Sequence, residues 1–336
     1  MSEETKRLVI IDSNSVIHRA YHALPPLTTK KGELVNAIYG FLLVFLKIIK
    51  EFQPDFIAAA FDTPQPTFRH KKYKDYKAKR LPAPDELYLQ IPKVKEVLKA
   101  FGVSVFEKEG FEADDIIGTI ATLAPIFHQK NGGGPKIETI ILSGDLDALQ
   151  LINPRTKVYA LRKGVKDVVL YDEKRVQEKF QGLIPQQILD FKALRGDPSD
   201  NIPGITGIGE KTAIQLLLKF GTLENLYKEI EESSQNAKGL RPKLRETILQ
   251  YKEQAFFSKT LAQIEKNTPI EFNLEECRFG EYDKNKVVEL LEDFEFHSLI
   301  KRLFEEKGGA MKIISSSLSV NASGKEESVG ENLKLW

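Results

Sequence analysis

Three acidic residues stand close together in the stretch FEADDIIGTI, where a predicted helix begins. They are Glu112, Asp114 and Asp115. Each close pair of such charges repels by about 1 kcal/mol in water, and by several times more where water is scarce. Acids also suit the first turn of a helix, because its backbone N–H groups lack partners. The cluster therefore indicates either helix capping or a site for a positively charged ligand.

Further acids follow predicted strands. Asp12 comes directly after RLVII, Asp62 after FIAAAF, and Asp145 and Asp147 after TIILSG. In a parallel sheet the carboxyl ends of the strands share one edge, where ligands of open α/β sheets bind. Any one of these acids could be a turn residue or a helix cap. Together they predict a cluster of carboxylates that would repel one another unless cations bind between them.

The types of ligand atom indicate which cations would bind to this cluster. Carboxylate oxygens without a nearby His or Cys are typical of Mg²⁺ or Mn²⁺ sites rather than zinc sites. Two such ions about 4 Å apart activate a water and stabilise the charge on the phosphate during phosphodiester hydrolysis. Glu112 and Asp115 are three residues apart and share a helix face, whereas Asp114 points elsewhere. The three acids therefore fit either two ions or an irregular first turn.

Strands and helices alternate through the first half of the chain. Buried strands are predicted over residues 7–11, 56–61, 103–106 and 139–142, with helices around 34–52, 86–101 and 113–124. This alternation predicts an α/β fold with a mostly parallel central sheet and flanking helices. From residue 173 the pattern is helical almost throughout, and a last helix is predicted over about 284–306.

The same patterns suggest a division of the chain. We expect an α/β core over residues 1–172, which contains the predicted metal site, and a helical region over 173–306. The NGGGP stretch is predicted to be a turn between a helix and the next strand. Residues 307–336 are poor in apolar side chains and rich in Ser, Gly and Glu, which is typical of a disordered tail.

Composition excludes several classes of protein. The 336 residues have a formal net charge of +1, so affinity for nucleic acid must come from local clustering of basic residues. Cys277 is the only cysteine, which excludes intramolecular disulfides and cysteine-based zinc sites. The N-terminus has no pattern of a secretory signal, and the most apolar stretch is short and contains Lys47. We expect a cytoplasmic protein with no membrane partner.

A basic segment follows the second predicted strand. FRHKKYKDYKAKR, residues 68–80, contains seven Lys or Arg residues, one acid, Tyr73 and Tyr76. Its position after Asp62 predicts that it overhangs the acidic edge. Cations there would attract a phosphate backbone, and tyrosine rings offer surfaces on which bases stack. We therefore interpret residues 63–85 as a clamp over the substrate. A solvated surface loop is the alternative.

A glycine-rich stretch, GDPSDNIPGITGIGEKTA, lies at residues 196–213. It is not a nucleotide-binding P-loop, because Glu210 stands where that motif needs lysine. It also follows a helix rather than a strand, which excludes the Rossmann fingerprint. A tight turn between two helices can bind a DNA phosphate at the start of the second helix. A purely structural corner is the alternative.

These features resemble those of the 5′-nuclease (flap endonuclease) superfamily, which is PIN-like. The likeness is greatest to the N-terminal 5′→3′ exonuclease domain of bacterial DNA polymerase I. It rests on the stretches IDSNSVIHRAYHALPPLTTKKGELVNAIYGF, AAFDTPQPTFRHKKYKDYKAKRLPAPDEL, GFEADDIIGTIA, SGDLDALQL and LRGDPSDNIPGITGIGEKTA, with weaker similarity to about residue 303. It implies a resolvase-like core and a helix–hairpin–helix over residues 196–220.

The resemblance also implies an activity and partners. A member of this superfamily is expected to hydrolyse DNA and RNA-primer phosphodiesters at 5′ flaps, nicks and 5′ ends. The products carry a 5′-phosphate and a 3′-hydroxyl, and the cellular context is Okazaki-fragment processing and DNA repair. Two Mg²⁺ or Mn²⁺ ions are implied as cofactors, with K⁺ at the hairpin. A monomer is implied, with a DNA polymerase as a possible partner.

Residue roles follow from the same resemblance. The implied metal ligands are Asp12, Asp62, Glu112, Asp114, Asp115, Asp145, Asp147, Asp197 and Asp200, of which the last two have no support from strand ends. Catalytic roles fall on Asp12, Asp115, Lys77 and Arg80. The implied DNA contacts are Arg19, Arg69, Lys72, Tyr76, Lys77 and Arg80, followed by Gly204, Gly207, Gly209 and Lys211 of the hairpin. Tyr76, Lys77 and Arg80 fall on a helical gateway over the active site.

Two departures and three rival interpretations remain. The chain has no polymerase domain, so it is either a stand-alone nuclease or a fragment, and Leu146 replaces a usual basic residue with little expected effect. The main alternative function is a non-catalytic DNA-junction-binding protein of the same fold. A haloacid-type phosphatase is disfavoured because Asn14 stands where its second acid belongs. A small PIN-like RNA nuclease generally lacks the hairpin and the basic segment.

Overall fold

The computed structural model describes residues 5–130 and 136–305. The predicted NGGGP turn and the predicted tail lie outside the described residues. The strands are β1 (Lys6–Asp12), β2 (Phe56–Phe61), β3 (Ser104–Glu107), β4 (Ile137–Ser143), β5 (Thr156–Lys163) and β6 (Asp167–Tyr171). They form one sheet in the order β3-β2-β1-β4-β5-β6.

The sheet is mostly parallel, which confirms the predicted α/β class. Neighbouring strands from β3 to β5 run parallel, and only the pairing of β6 with β5 is antiparallel. The four predicted strands are present, but β5 and β6 were not predicted. Each carries a run of four apolar residues, VYAL at 158–161 and VVLY at 168–171, which the sequence interpretation overlooked.

Helices cover both faces of the sheet and continue after it. They are α1 (Ser13–Ala23), α2 (Asn36–Phe52), α3 (Phe68–Lys72), α4 (Asp85–Tyr88), α5 (Ile91–Ala100), α6 (Ala113–Lys130), α7 (Glu173–Lys179), α8 (Ile188–Arg195), α9 (Glu210–Phe220), α10 (Leu223–Glu231), α11 (Gln235–Lys238), α12 (Pro242–Gln250), α13 (Lys252–Ala262), α14 (Lys284–Asp293) and α15 (His297–Glu305). Within residues 5–130 and 136–305, no helix has the length and apolar character needed to cross a membrane.

Two predicted helices are each divided in two. The stretch predicted over 86–101 forms α4 and α5, because Pro92 occupies the first turn of a new helix. The stretch predicted over 284–306 forms α14 and α15 instead of one helix. Glu295 between them has a φ of 60°, and the N–H of Phe296 turns back to the carbonyl of Leu291 (2.8 Å). This left-handed residue ends α14.

Alternate residues of β1 point to two different apolar cores. Val9 and Ile11 pack in the core beneath α1, α2 and α5, whereas Leu8 and Ile10 pack in the core beneath α6. Burying each such side chain contributes about 1.5–3 kcal/mol. The sheet is therefore fixed on both faces, and so is the position of its carboxyl edge.

A third core joins the helices from α8 to α13. After α13 the chain returns to the sheet rather than staying with these helices. Phe272 and Leu274 enter the core beneath α6, and Leu291 and Leu299 enter the core on the opposite face. Residues far beyond position 172 therefore complete both cores of the sheet. The predicted domain boundary at residue 172 stays a prediction.

Candidate active site

Asp12 is the last residue of β1 and lies at the carboxyl edge of the sheet. Its Oδ1 accepts a hydrogen bond from the N–H of Ser15 (3.2 Å), which caps α1. Its Oδ2 accepts one from the hydroxyl of Ser143 at the end of β4 (2.6 Å). Asp12 is 4% exposed, and this burial raises the pKa of its carboxyl to about 6. Asp12 therefore does cap α1, and its buried carboxylate would also be stabilised by a nearby cation.

Asp62 links the end of β2 to the starts of two helices. Its Oδ1 accepts a hydrogen bond from the N–H of Ala113, the first residue of α6 (2.8 Å). Its own N–H donates to Oδ1 of Asn14 in α1 (3.1 Å). Asp62 thus lies close enough to Asp12 for its charge to add to the burial that raises the pKa of Asp12.

Asp114, the second residue of α6, faces the acids at the ends of β1 and β4. Burial raises the pKa of Asp114 well above its ordinary value, and the charges of Asp12, Asp145 and Asp147 raise it further. Acids at the ends of β1 and β4 therefore lie close enough to act on this side chain, and their joint use as a metal site stays a prediction.

Lys192 of α8 joins two of the other acids, and the sequence interpretation overlooked it. Its Nζ contacts Oδ1 of Asp147 and lies 2.6 Å from Oδ2 of Asp197. Burial raises the pKa of Asp147 to about 7 against the opposing effect of Lys192, and the charge of Asp145 adds to the rise. For Asp197 burial acts in the same direction, but Lys192 and Ser199 outweigh it and lower its pKa to about 2.

The basic segment lies directly over the remaining acids. The hydroxyl of Tyr76 lies 3.2 Å from Oε2 of Glu112 and 3.1 Å from Oδ2 of Asp200. The Nζ of Lys77 lies 2.9 Å from Oε2 of Glu112, and Arg80 pairs with Asp200. Tyr76 is 3% exposed, so its ring does not face solvent in this conformation.

These residues do not form the helical gateway that the resemblance implied. α3 ends at Lys72, and residues 74–79 form turns in which Lys77 has a φ of 55°. The N–H of Lys77 donates to the carbonyl of Asp200 (3.0 Å). The physical reason lies in the backbone, because a residue in the left-handed region interrupts a right-handed α-helix.

Asp115 has a different environment from its two acidic neighbours. Its Oδ1 accepts hydrogen bonds from Nη2 of Arg69 (2.7 Å) and the N–H of Glu265 (2.8 Å). Its Oδ2 accepts from Nη1 of Arg69 (2.7 Å) and the N–H of Glu112 (3.0 Å). A carboxylate has about four acceptor positions, and here all of them are used. Asp115 is fully buried, so the structure does not support its expected role as a metal ligand.

Arg69 is likewise placed away from its expected role in DNA binding. It is 2% exposed, and beyond Asp115 it donates to the carbonyls of Leu261 (2.9 Å) and Gln263 (2.6 Å). The pair therefore ties α3 and α6 to the segment after α13. Four of its five N–H donors are used in these hydrogen bonds, and its Nη1 also lies 3.6 Å from Oε2 of Glu112, so little of the guanidinium is left for a phosphate.

The other implied DNA contacts near the sheet lie at two places. Arg19 donates to the carbonyls of Gly144 (3.0 Å) and Arg162 (2.8 Å), so it holds the loop after β4 against β5. Lys72 is exposed, with its Nζ 5.4 Å from the centre of the Phe68 ring. Arg19 thus lies beside the acids and Lys72 lies on the surface, and their roles on DNA stay predictions.

The glycine-rich turn connects α8 to α9 as predicted, but its glycines differ. Gly204 is buried with a φ of 61°, and an added Cβ would lie 2.1 Å from the backbone nitrogen of Gly196. Its N–H donates to the hydroxyl of Ser258 (3.1 Å), so this glycine serves packing rather than contact with a ligand. Gly207, Gly209 and Lys211 are exposed at the start of α9, where a phosphate could approach.

The acids fit Mg²⁺ or Mn²⁺ in chemistry, since they offer only carboxylate oxygens. A small cleft among them is lined by Glu112, Asp114, Asp147 and Asp200, with Tyr76 and Arg69. In the part of the chain that the structure describes, no three Asp, Glu, His or Cys side chains are grouped so that they could hold a metal ion. Three basic side chains, Lys77, Arg80 and Lys192, instead pair with acids of this edge.

Two family models match the chain in succession. Residues 7–181 match the 5′-3′ exonuclease N-terminal resolvase-like domain, and residues 183–285 match the 5′-3′ exonuclease C-terminal SAM fold. The chain is 41% identical over 307 residues to DNA polymerase I of Bacillus subtilis (strain 168), which covers 91% of this chain and 33% of that protein. It is 43% identical over 298 residues to DNA polymerase I of Bacillus caldotenax, covering 89% of this chain and 32% of that one.

Solved structures share the fold. The T5 D15 protein co-crystallised with metal ions has a TM-score of 0.62 at 16% identity, covering 87% of this chain and 99% of that one. The catalytic core of Rad2 in complex with DNA substrate has a TM-score of 0.54 at 19% identity, covering 87% and 88%. The chain itself spans about a third of the length of the two polymerases. Both domain models and these relatives agree with the recognised motifs, and the chain belongs to the 5′-3′ exonuclease family.

Proposed function

We propose that this chain is a divalent-metal-dependent nuclease that cuts DNA at 5′ flaps, nicks and 5′ ends. The observation that supports this best is that the buried acids Asp12, Asp62 and Asp114, from the ends of two strands and the start of α6, lie close enough for their charges to act on one another. Lys77 and Arg80 pair with two further acids, Glu112 and Asp200. Carboxylates below and basic side chains above can bind metal ions and a phosphate respectively. Membership of the 5′-3′ exonuclease family supports the same activity.

The chain's own residues would divide the work. Two Mg²⁺ or Mn²⁺ ions, when bound, would activate a water and neutralise charge on the phosphate. The residues that would hold them are Asp12, Asp62, Glu112, Asp114, Asp145, Asp147, Asp197 and Asp200. Lys77 and Arg80, once released from their acids, would contact the scissile phosphate, and Tyr76 would stack on a base. Asp115 and Arg69 would support this arrangement from the interior.

The hairpin would hold duplex DNA. Backbone N–H groups near Gly207 and Gly209, together with Lys211, would contact phosphates without reading sequence. A K⁺ ion at this turn belongs to the proposal. We propose that the products carry a 5′-phosphate and a 3′-hydroxyl. The substrates would include RNA-primer flaps in Okazaki-fragment processing and repair, with a DNA polymerase as partner. A cytoplasmic monomer is proposed as the working form.

A labelled 5′-flap duplex tests the activity. We expect Mg²⁺-dependent release of the flap, and no release with EDTA. Asp114→Asn should lower the rate by at least about 100-fold, since it removes a carboxylate from the centre of the cluster. Glu138→Gln is the matched control, because Glu138 lies near the amino end of β4 and pairs with Arg7 and Lys157. Full activity of Asp114→Asn, or no cleavage by clean wild-type protein, would contradict the proposal.

A non-catalytic protein that binds DNA junctions is the second candidate. The observation in its favour is that Lys77 and Lys192 pair with the acids Glu112 and Asp147. Such a protein would bind the flap duplex in a gel-shift assay equally well with EDTA or Mg²⁺ and would leave the labelled strand intact. A comparison of matched RNA and DNA flaps would separate both candidates from an RNA-specific nuclease.

A further inference from the structure

Lys192 joins two acids that belong to different parts of the fold. Asp147 begins the short 3₁₀ helix after β4, and Asp197 follows the end of α8. The Nζ of Lys192 contacts a carboxylate oxygen of each, and its side chain is only 13% exposed. This ammonium is therefore an ordered part of the acidic edge rather than a solvated surface charge.

An ammonium in this place does the electrostatic work of a bound cation. Asp147 and Asp145 lie side by side, and the N–H of Asp147 donates to Oδ1 of Asp145 (2.9 Å), so a positive charge beside Asp147 offsets the repulsion between these acids. Lysine provides a compact point charge with three donors, which suits two carboxylates from different directions. A divalent ion would use the same two carboxylates, and the two cations repel each other strongly at such short range.

We propose that Lys192 is an internal counter-cation of the Asp147–Asp197 pair and that a divalent ion binds these two acids only by displacing it. This inference rests on the proposed function. The displacement needs no change of fold, because Lys192 stands on a regular helix and only its side chain has to rotate.

Lys77 and Arg80 are less suitable than Lys192 for an experiment on this proposal. Lys77 and Arg80 belong to the segment expected to contact DNA, so their substitution would alter substrate binding as well as metal binding. Lys259 is a suitable control, because its Nζ also joins two acids, Asp190 (2.6 Å) and Glu224 (2.7 Å). That pair of acids lies among the helices of the third core, away from the cleft.

The test measures Mn²⁺ binding to the full chain by titration calorimetry, without DNA. Lys192→Met keeps the length of the side chain and removes its charge. We expect it to bind Mn²⁺ at least about tenfold more tightly than wild type, because a competing unit charge is gone. Lys192→Arg keeps the charge and should not bind more tightly than wild type. Lys259→Met should have the wild-type affinity.

Thermal unfolding guards against a variant that folds poorly. Without metal, Lys192→Met should melt below wild type, because two acids lose their partner. Saturating Mn²⁺ should raise its Tm by more than it raises that of wild type, since stabilisation grows with affinity. Equal rises in Tm, together with an unchanged or weaker affinity for Mn²⁺, would overturn the inference.

The same measurements separate this inference from the proposed function. If wild type cleaves the flap with Mg²⁺ but Lys192→Met binds Mn²⁺ no more tightly, only the role of Lys192 is wrong. If neither wild type nor Lys192→Met binds Mn²⁺, the metal-dependent function and the inference both fail. Tight binding by Lys192→Met together with weak binding by wild type would support the displacement directly.

Discussion

The buried pair of Arg69 and Asp115 allows a quantitative prediction. Asp115→Asn keeps the shape of the side chain but removes the charge opposite a guanidinium that is 2% exposed. It also places an NH₂ group against donors, because both carboxylate oxygens accept from Arg69 and from a backbone N–H. Breaking a buried pair by changing one partner typically costs about 3–5 kcal/mol. Against a total stability of about 5–15 kcal/mol, this loss is large.

Urea unfolding followed by circular dichroism measures this cost. Glu138→Gln is the control, since its partly exposed ion pairs are worth at most about 1 kcal/mol each. The double variant Arg69→Met/Asp115→Leu replaces the pair with apolar side chains and should be less destabilised than Asp115→Asn. The reasoning is refuted if Asp115→Asn keeps the wild-type free energy of unfolding and instead loses affinity for Mn²⁺. Asp115 would then be a metal ligand, as the sequence alone suggested.

Further outcomes are expected for Cys277, for the glycine-rich turn and for Mg²⁺ binding. Burial raises the pKa of the Cys277 thiol from 9.0 to about 12, so Ellman's reagent at pH 8 should label it only after unfolding. Between about pH 9 and pH 12 the Cys277 thiol keeps its proton in the folded state and loses it in the unfolded state. The free energy of unfolding should therefore fall as the pH rises through this range. Gly204→Ala should destabilise the hairpin by several kcal/mol and abolish retention on duplex DNA, because its Cβ would overlap the backbone of Gly196. Gly207→Ala, with a φ of 85° but open space, should cost only about 1–2 kcal/mol. Mg²⁺ should raise the Tm of wild type in a concentration-dependent way and EDTA should reverse it; a Tm independent of Mg²⁺ would contradict binding at the acids.

The fold was predictable wherever burial dominates the sequence. β2 was predicted with its observed bounds because FIAAAF is buried at every position. The strand-end acids were predictable because parallel strands bring their carboxyl ends to one edge. β5 and β6 were missed although each carries four consecutive apolar residues, because so short a run does not distinguish a strand from a buried helix segment. Glu295 shows a further limit, since one left-handed residue divides a helix that periodicity alone would continue.

The ion pairs of the site were beyond the reach of sequence patterns. Arg69 and Asp115 are 46 residues apart, and Lys192 and Asp147 are 45 apart. Neither pair has a periodic spacing, because the contacts arise only when α3 and α8 pack beside the ends of the strands. The sequence therefore predicted where negative charge gathers but not which basic residue neutralises which acid. Asp197 and Asp200 were found only through the family resemblance, since they follow a helix.

The return of the chain to both faces of the sheet has a consequence for synthesis. A nascent chain on the ribosome would have made all six strands by Tyr171, yet Phe272 and Leu274 would still be missing from one face. Leu291 and Leu299 would be missing from the other. The exposed apolar surface makes such an intermediate a target for chaperones until these residues emerge. The two matched domains are therefore a division of the sequence, and the sheet matures only with the last helices.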